Sequence, residues 1–176
     1  MTESNDTFAR QFQARVQEAP FQVGHEYDDF LSGDTSDGAV ATFVGRVRDH
    51  NAGASVQTLE LEHYPGMTEK VMKQVLDQAR QRWPITAARV IHRYGTLHPG
   101  ENIVMVLTAS AHRHAALDAC AFIMDHLKTQ ATFWKKELTQ DGARWIQSRE
   151  TDTTALQRWQ EPSQDANSSD IVSHRR

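Results

Sequence analysis

AHRHAALDACAFIMDHLKTQATFWKKE, residues 111–137, reads as a long helix running into a strand. Ala116, Ala119, Cys120, Ile123 and Leu127 recur at helical spacing, and Ser110, just upstream, is placed to cap the helix. His112 and Arg113 then fall in the first turn, beside unpaired backbone N–H groups that attract phosphate or carboxylate. Cations at that end run against the helix dipole unless an anion offsets them, so the segment points to an anionic small ligand. Lys128 sits at the other end, where the dipole favours a cation. The residues from His112 to Lys128 span roughly 24 Å at about 1.5 Å each, too far for one small ligand. Either the two ends do unrelated things, or a second copy brings its own His112 and Arg113 to the Lys128 of the first, which predicts a dimer with a shared site.

Working outward, residues 102–109 are nearly apolar throughout (Ile103, Val104, Met105, Val106, Leu107) and read as a strand buried on both faces at the centre of a sheet. Residues 87–94 form a second strand, separated from it by the turn His98-Pro99-Gly100-Glu101. Residues 38–47 have the β-branched and aromatic content of a strand, and residues 56–63 alternate, Leu59 and Leu61 on one face and Glu60 and Glu62 on the other. The polar loop 48–55 joins them. Between residues 68 and 83 a stripe of Val71, Leu76, Ala79 and Trp83 faces away from Lys70, Lys73, Asp77 and Arg80, an amphipathic helix closed by Pro84. Residues 132–138 and 143–147 flank Gln140-Asp141-Gly142, a hairpin signal that sends Lys135 and Lys136 to opposite faces of the first strand. The pattern is α+β, a mixed, mostly antiparallel sheet with helices packed on it.

A chain of 176 residues, 39% hydrophobic, suits one domain. Residues 1–19 read as a flexible N-terminal segment, 20–159 as the folded domain and 160–176 as a disordered tail. A formal net charge of −4 argues against a nucleic-acid partner held by bulk positive charge, yet leaves room for a local basic pocket. Cys120 is the single cysteine, so no disulfide framework exists, and its place on the apolar stripe makes packing a better explanation than nucleophilic chemistry. No apolar run approaches the ~20 residues of a membrane span, and the start MTESNDTFAR lacks a leader pattern; a cytoplasmic location with no membrane partner is expected. His50, His63, His92, His98, His114 and His126 lack zinc-site spacing, so neither metal nor cofactor is assigned.

Taken together, GAVATFVGRVRDHN, LELEHYPGMTEK, RWP, IHRYGTLHPGE, TASAHRHAAL, FIMDHLKTQATFWKKE and RWIQSRE resemble the large catalytic subunit of molybdopterin synthase, in order and over about residues 20–159. The resemblance implies an α/β hammerhead-like fold and a sulfurtransferase that converts cyclic pyranopterin monophosphate into the dithiolene of molybdopterin. It also implies a small ubiquitin-like partner that carries the sulfur as a C-terminal Gly-Gly thiocarboxylate, and a homodimer of large subunits within a heterotetramer. Carried over position by position, the family's substrate-binding residues fall on Arg46, Val47, Arg48, His112, Arg113, Lys128, Lys135, Lys136 and Glu137, with Lys128 and Lys135 catalytic. Arg48, His112 and Arg113 suit a phosphate, and Lys128 and Lys135 suit a thiocarboxylate and the oxygens on which charge develops. Phe43, Met124 and Phe133 are candidates for the walls of a pterin slot or tail channel, although core packing explains each one singly; Arg149 stands outside the main set. Two other functions stay open on the residues alone: a non-catalytic module that binds a ubiquitin-like tail, and a phosphoesterase or RNA-cleaving enzyme using His112 and Lys128 as acid and base.

Overall fold

The computed structural model describes residues 11–31, 35–146 and 150–160, with the side chains of 147–153 left aside. The expectations for residues 1–10, Arg149 and the tail from 161 lie outside the described residues. Residues 102–110 (β7, Asn102–Ser110) are central, as their apolar run predicts: the first sheet has the order β1-β5-β7-β2, with β1 at Phe12–Gln17, β2 at Ala39–Arg46 and β5 at Ile85–Arg93. β7 pairs antiparallel with both neighbours, and β1 joins β5 in parallel. Val104 and Val106 face one side of this sheet and Met105 and Leu107 the other, all at most 5% exposed.

Three helices cover the two faces. α2 (Met67–Arg82) and α3 (Arg113–Gln130) lie on the Val104–Val106 side, joined in one core by Met72, Val75, Leu76 and Ala79 from α2 and Ala119, Phe122, Ile123 and Leu127 from α3. Met72 and Val75 join Leu76 and Ala79 as the inward positions of α2, and Val71 lies half-buried at the margin of that face. α1 (Val23–Phe30) covers the opposite face, where Phe21, Ile91, Met105 and Leu107 cluster and the buried Arg89 guanidinium pairs with Glu26 and Asp29. A fourth helix, α4, spans Glu150–Gln157.

Two expectations need correction. Residues 12–17 are not part of a loose segment: Phe12, Ala14 and Val16 pack on the core while Arg15 reaches Glu26 on the other face, a period-two pattern too short to stand out in a polar stretch. Ser110 does not cap α3. It ends β7, donates its hydroxyl to the Pro84 carbonyl and accepts the His112 N–H at 3.2 Å, so that His112 becomes the N-cap and Arg113 the first helical residue.

The mixed, mostly antiparallel expectation holds, but the strands divide between two sheets. β4 (Ala54–His63) pairs with β8 (Phe133–Thr139) on one edge and with β3 (His50–Asn51) and β6 (Gly95–Leu97) on the other, and β9 (Gly142–Ile146) completes the hairpin with β8. A bulge at Gly45/Arg46 ends the pairing of β2 with β7. The following residue, Val47, then binds the 98–101 turn through its N–H to Glu101 (2.9 Å) and its carbonyl from Gly100 (2.8 Å), which diverts the chain from one sheet to the other. Leu59 and Leu61 bury themselves with Val47 and Leu97 in a small separate core. Across the ladder Leu61 faces Lys135 and Leu59 faces Glu137, so these four side chains share the inner face of the second sheet.

That small core supports the inner face. Leu61 is 1% exposed, and Leu61→Ala is expected to cost about 3 kcal/mol of stability through lost burial and a residual cavity, read from urea unfolding midpoints at unchanged slope.

Candidate functional site

Where the two sheets meet, a cavity of about 650 Å³ opens. Its wall takes Phe43 to Arg48 from the end of β2 and beyond, His92 from β5, Met124 and Lys128 from the last turns of α3, Phe133, Lys135 and Glu137 from β8, and Ile146 from β9. Among the described residues, four cations, Arg46, Arg48, Lys128 and Lys135, therefore line one space with a single carboxylate. Each is placed by a different device. The bulge turns Arg46 so that its guanidinium donates to the Gly100 carbonyl (Nε at 3.0 Å), the loop after β2 carries Arg48, the end of α3 presents Lys128, and the inward face of β8 presents Lys135.

Glu137 is 6% exposed and fully engaged. Its Oε1 accepts from Asn51 at 2.8 Å, and its Oε2 accepts from Arg144 Nε and Nη2 at 3.1 and 2.9 Å. Asn51 in turn accepts from Arg48 Nη2 at 3.1 Å. Neither Asn51 nor Arg144 stands out in the sequence: Asn51 lies within the polar loop, and the register of β8 on β9, which sets Arg144 opposite Glu137, emerges only on folding.

His92 forms part of the cavity wall in a dry setting. Its Nδ1–H donates to the Arg93 carbonyl at 2.8 Å, and its ring stacks on Phe133 with centroids 3.6 Å apart. Burial, helped by the nearby Lys135 and His63 charges, pushes its pKa down from 6.5 to about 3, so the ring is neutral across the physiological range. Phe43, Met124 and Phe133 all reach the cavity, and Phe43 is 39% exposed there. Cys120 does not line it. Burial raises that thiol to about 11, which leaves it a packing residue with negligible thiolate.

Not every predicted residue arrives. Lys136 points to the outer face of β8, as alternation requires, with Nζ 3.7 Å from Glu60 and 5.6 Å from the Trp145 ring centre. His112 and Arg113 are exposed at the start of α3, an 18-residue helix of roughly 27 Å, while Lys128 is in its last turn. Within one chain the two ends cannot act on the same small molecule, so His112 and Lys128 do not form an acid–base pair there. Among the described residues no group of three or more His, Cys, Asp or Glu side chains could hold a metal ion, and no helix is long and apolar enough to cross a membrane.

The cavity can receive an elongated anion. Its cations suit phosphate and carboxylate oxygens, its aromatic and methionine walls suit a flat ring, and its volume is that of a small-molecule site.

The chain is also similar to known proteins. A family model described as MoaE protein matches residues 16–130. The molybdopterin synthase catalytic subunit of Escherichia coli K12 is 55% identical over 140 residues, 80% of this chain and 93% of that protein. The protein of the same name from Vibrio cholerae is 54% identical, over 82% of this chain and 96% of its own length. Among solved structures, the molybdopterin biosynthesis MoaE protein of Burkholderia ambifaria superposes with a TM-score of 0.73 at 45% identity, covering 85% of this chain and 98% of that one. Molybdopterin synthase from Staphylococcus aureus gives 0.70 at 30% identity, covering 75% and 95%.

The buried imidazole makes a pH prediction. Unfolded, His92 takes up a proton near 6.5; folded, it does so only near 3, so the unfolded chain binds more protons between those values. The contribution is complete above 6.5 and is lost as pH falls toward 3. From about pH 7.5 to about pH 5 the wild type should lose about 2 kcal/mol more stability than His92→Leu, measured by urea unfolding at each pH.

Proposed function

The chain belongs to the MoaE protein family, and from that membership and the cavity we infer that it is the sulfur-transferring, catalytic subunit of a molybdopterin synthase. The single observation that carries the residue assignments is the convergence of Arg46, Arg48, Lys128 and Lys135, from separate parts of the chain, on one cavity. The substrate is cyclic pyranopterin monophosphate, and the sulfur arrives as the thiocarboxylate of a small ubiquitin-like subunit whose Gly-Gly tail enters the cavity. A reducing, cytoplasmic setting suits both that thiocarboxylate and a chain whose one thiol is buried.

Each group has a role set by its charge and place. Arg48 binds the phosphate through charge-assisted hydrogen bonds, and Arg46 and the Val47 backbone shape the rim while tied to the 98–101 turn. Lys128 and Lys135 hold the thiocarboxylate so that its sulfur attacks a side-chain carbon of the pterin. They then stabilise the negative charge that appears on oxygen when the cyclic phosphate opens and when water cleaves the acyl link between partner and substrate. Phe43, Met124 and Phe133 exclude water from the ring and the tail, which strengthens every charge contact inside.

His112 and Arg113 complete the site from a second copy. They sit a helix length from the Lys128 of their own chain, and two cations beside the unpaired N–H groups at the start of α3 suit an anion brought there by a partner protomer. The assembly is a homodimer carrying one small subunit at each cavity.

The direct test mixes the protein with the thiocarboxylated partner and the cyclic pterin and measures dithiolene product. Lys128→Ala should lower the rate at least about 100-fold without dissociating the dimer, since a preorganised charge contact to the transition state is lost; an unchanged rate removes Lys128 from the mechanism. Subunit mixing tests the shared site separately. Lys128→Ala and His112→Ala, each inactive alone, should recover about one quarter of wild-type activity when co-expressed, because half of the dimers pair the two variants and each pair keeps one intact site. Absence of recovery would place His112 outside the partner's cavity.

A further inference from the structure

Asn51 links the cavity wall to the buried Glu137 carboxylate. It ends the short strand β3, is 9% exposed, and is followed by Ala52 (φ 50°) and Gly53 (φ 82°), a two-residue turn with both centres in the left-handed region. Such a turn fixes the backbone on either side and sets where the Asn51 side chain points. That side chain lies between a buried anion and a cavity cation: Nδ2 gives its hydrogen to Glu137 Oε1 at 2.8 Å, and Oδ1 accepts from Arg48 Nη2 at 3.1 Å. Arg144 ties Glu137 to Asn51, holding the Glu137 carboxylate at 2.9 Å and the Asn51 carbonyl at 2.6 Å through the same Nη2.

We propose that Asn51 is a positioning residue for the sulfur-transfer reaction, bridging the buried Glu137 carboxylate and the Arg48 guanidinium so that Arg48 meets the substrate's anionic group in one fixed direction. The proposal rests on the reading of Arg48 as the phosphate ligand. A carboxamide is the side chain that carries a donor and an acceptor on one short end; the carboxylate only accepts and the guanidinium only donates, so the partners dictate which way the amide faces. Aspartate in its place would oppose Glu137 with a like charge, and alanine would leave Arg48 without its anchor. A guanidinium has five N–H groups, and the Asn51 contact engages one nitrogen, leaving the others for an anion in the cavity that Arg48 lines. Glu137 thus acts through Asn51, its oxygens being occupied within the protein. Holding a long, flexible cation in advance removes most of the ordering cost at binding.

The experiment uses the full-length protein with arginine labelled by ¹⁵N, cyclic pyranopterin monophosphate as the titrant, and four proteins: wild type, Asn51→Ala, Arg48→Ala and the double variant. Asn51→Ala should weaken binding about tenfold and turn the ordered Arg48 Nε–H signal into a mobile one, while adding nothing in the Arg48→Ala background. A loss of the same size in both backgrounds, or unchanged binding in Asn51→Ala, overturns the proposal. Asn51→Asp, which sets a carboxylate against Glu137 in place of the amide donor, should lose the ordered signal as Asn51→Ala does; an ordered Arg48 signal in either variant overturns the bridge. Should the wild type fail to bind the pterin phosphate, the functional reading falls, and the Arg48 signal in the Asn51 variants still decides the bridge.

Discussion

Like charges gathered around one cavity repel one another, and the rest of the molecule is organised to hold them there. Two unit charges about 4 Å apart near a protein surface cost about 4 kcal/mol at an effective dielectric of 20, so flexible side chains left to themselves would swing away. Here the cations come from elements that have no freedom to separate: the last turn of α3, the inward face of β8 and the bulged end of β2. The C-terminal end of a helix dipole offsets part of the charge on Lys128. Glu137, the carboxylate on the cavity wall, offsets part of the remainder.

The two-sheet architecture follows from the same requirement. A single continuous sheet would set Arg46 and Lys135 on one surface in the open. Ending the β2–β7 ladder at Gly45/Arg46 and tying Val47 to the 98–101 turn instead bends the chain into a second sheet whose inner face looks back at the end of α3. Leu59 and Leu61 give that inner face an apolar footing beside Lys135 and Glu137, and the stacked His92 and Phe133 rings seal the seam. His92 can occupy so dry a place because it remains neutral and its Nδ1–H is satisfied by a backbone carbonyl. α3 itself separates two positive regions, His112 and Arg113 at one end and Lys128 at the other, which a lone chain cannot use together.

Much of this was legible in the residues. The apolar run of Ile103 to Leu107 announced a central strand, the Leu59/Leu61 alternation announced a one-sided strand, and the Asp141-Gly142 signal announced the β8–β9 hairpin. Alternation alone sent Lys135 and Lys136 to opposite faces of β8, although it could not say which of them would face a cavity. β1 and α1 leave little mark in the sequence, because three apolar residues in a strand and eight residues in a helix make a weak periodic signal against a polar background. Ser110 departs from the cap its position suggests for a related reason: a serine before a helix is a local cue, and its hydroxyl donates to the Pro84 carbonyl, a partner distant in the chain.

What the sequence by itself determined was periodicity, charge and family: which segments are strands or helices, which face of each is apolar, and that cations concentrate around one helix. These are properties of neighbours in the chain. Only the tertiary structure decided which cations share a space, that His92 is dry and neutral, and that Asn51 stands between Glu137 and Arg48. Residues 51 and 137 meet because β3 and β8 both border β4, and a contact set by strand pairing between remote segments leaves no trace in local spacing.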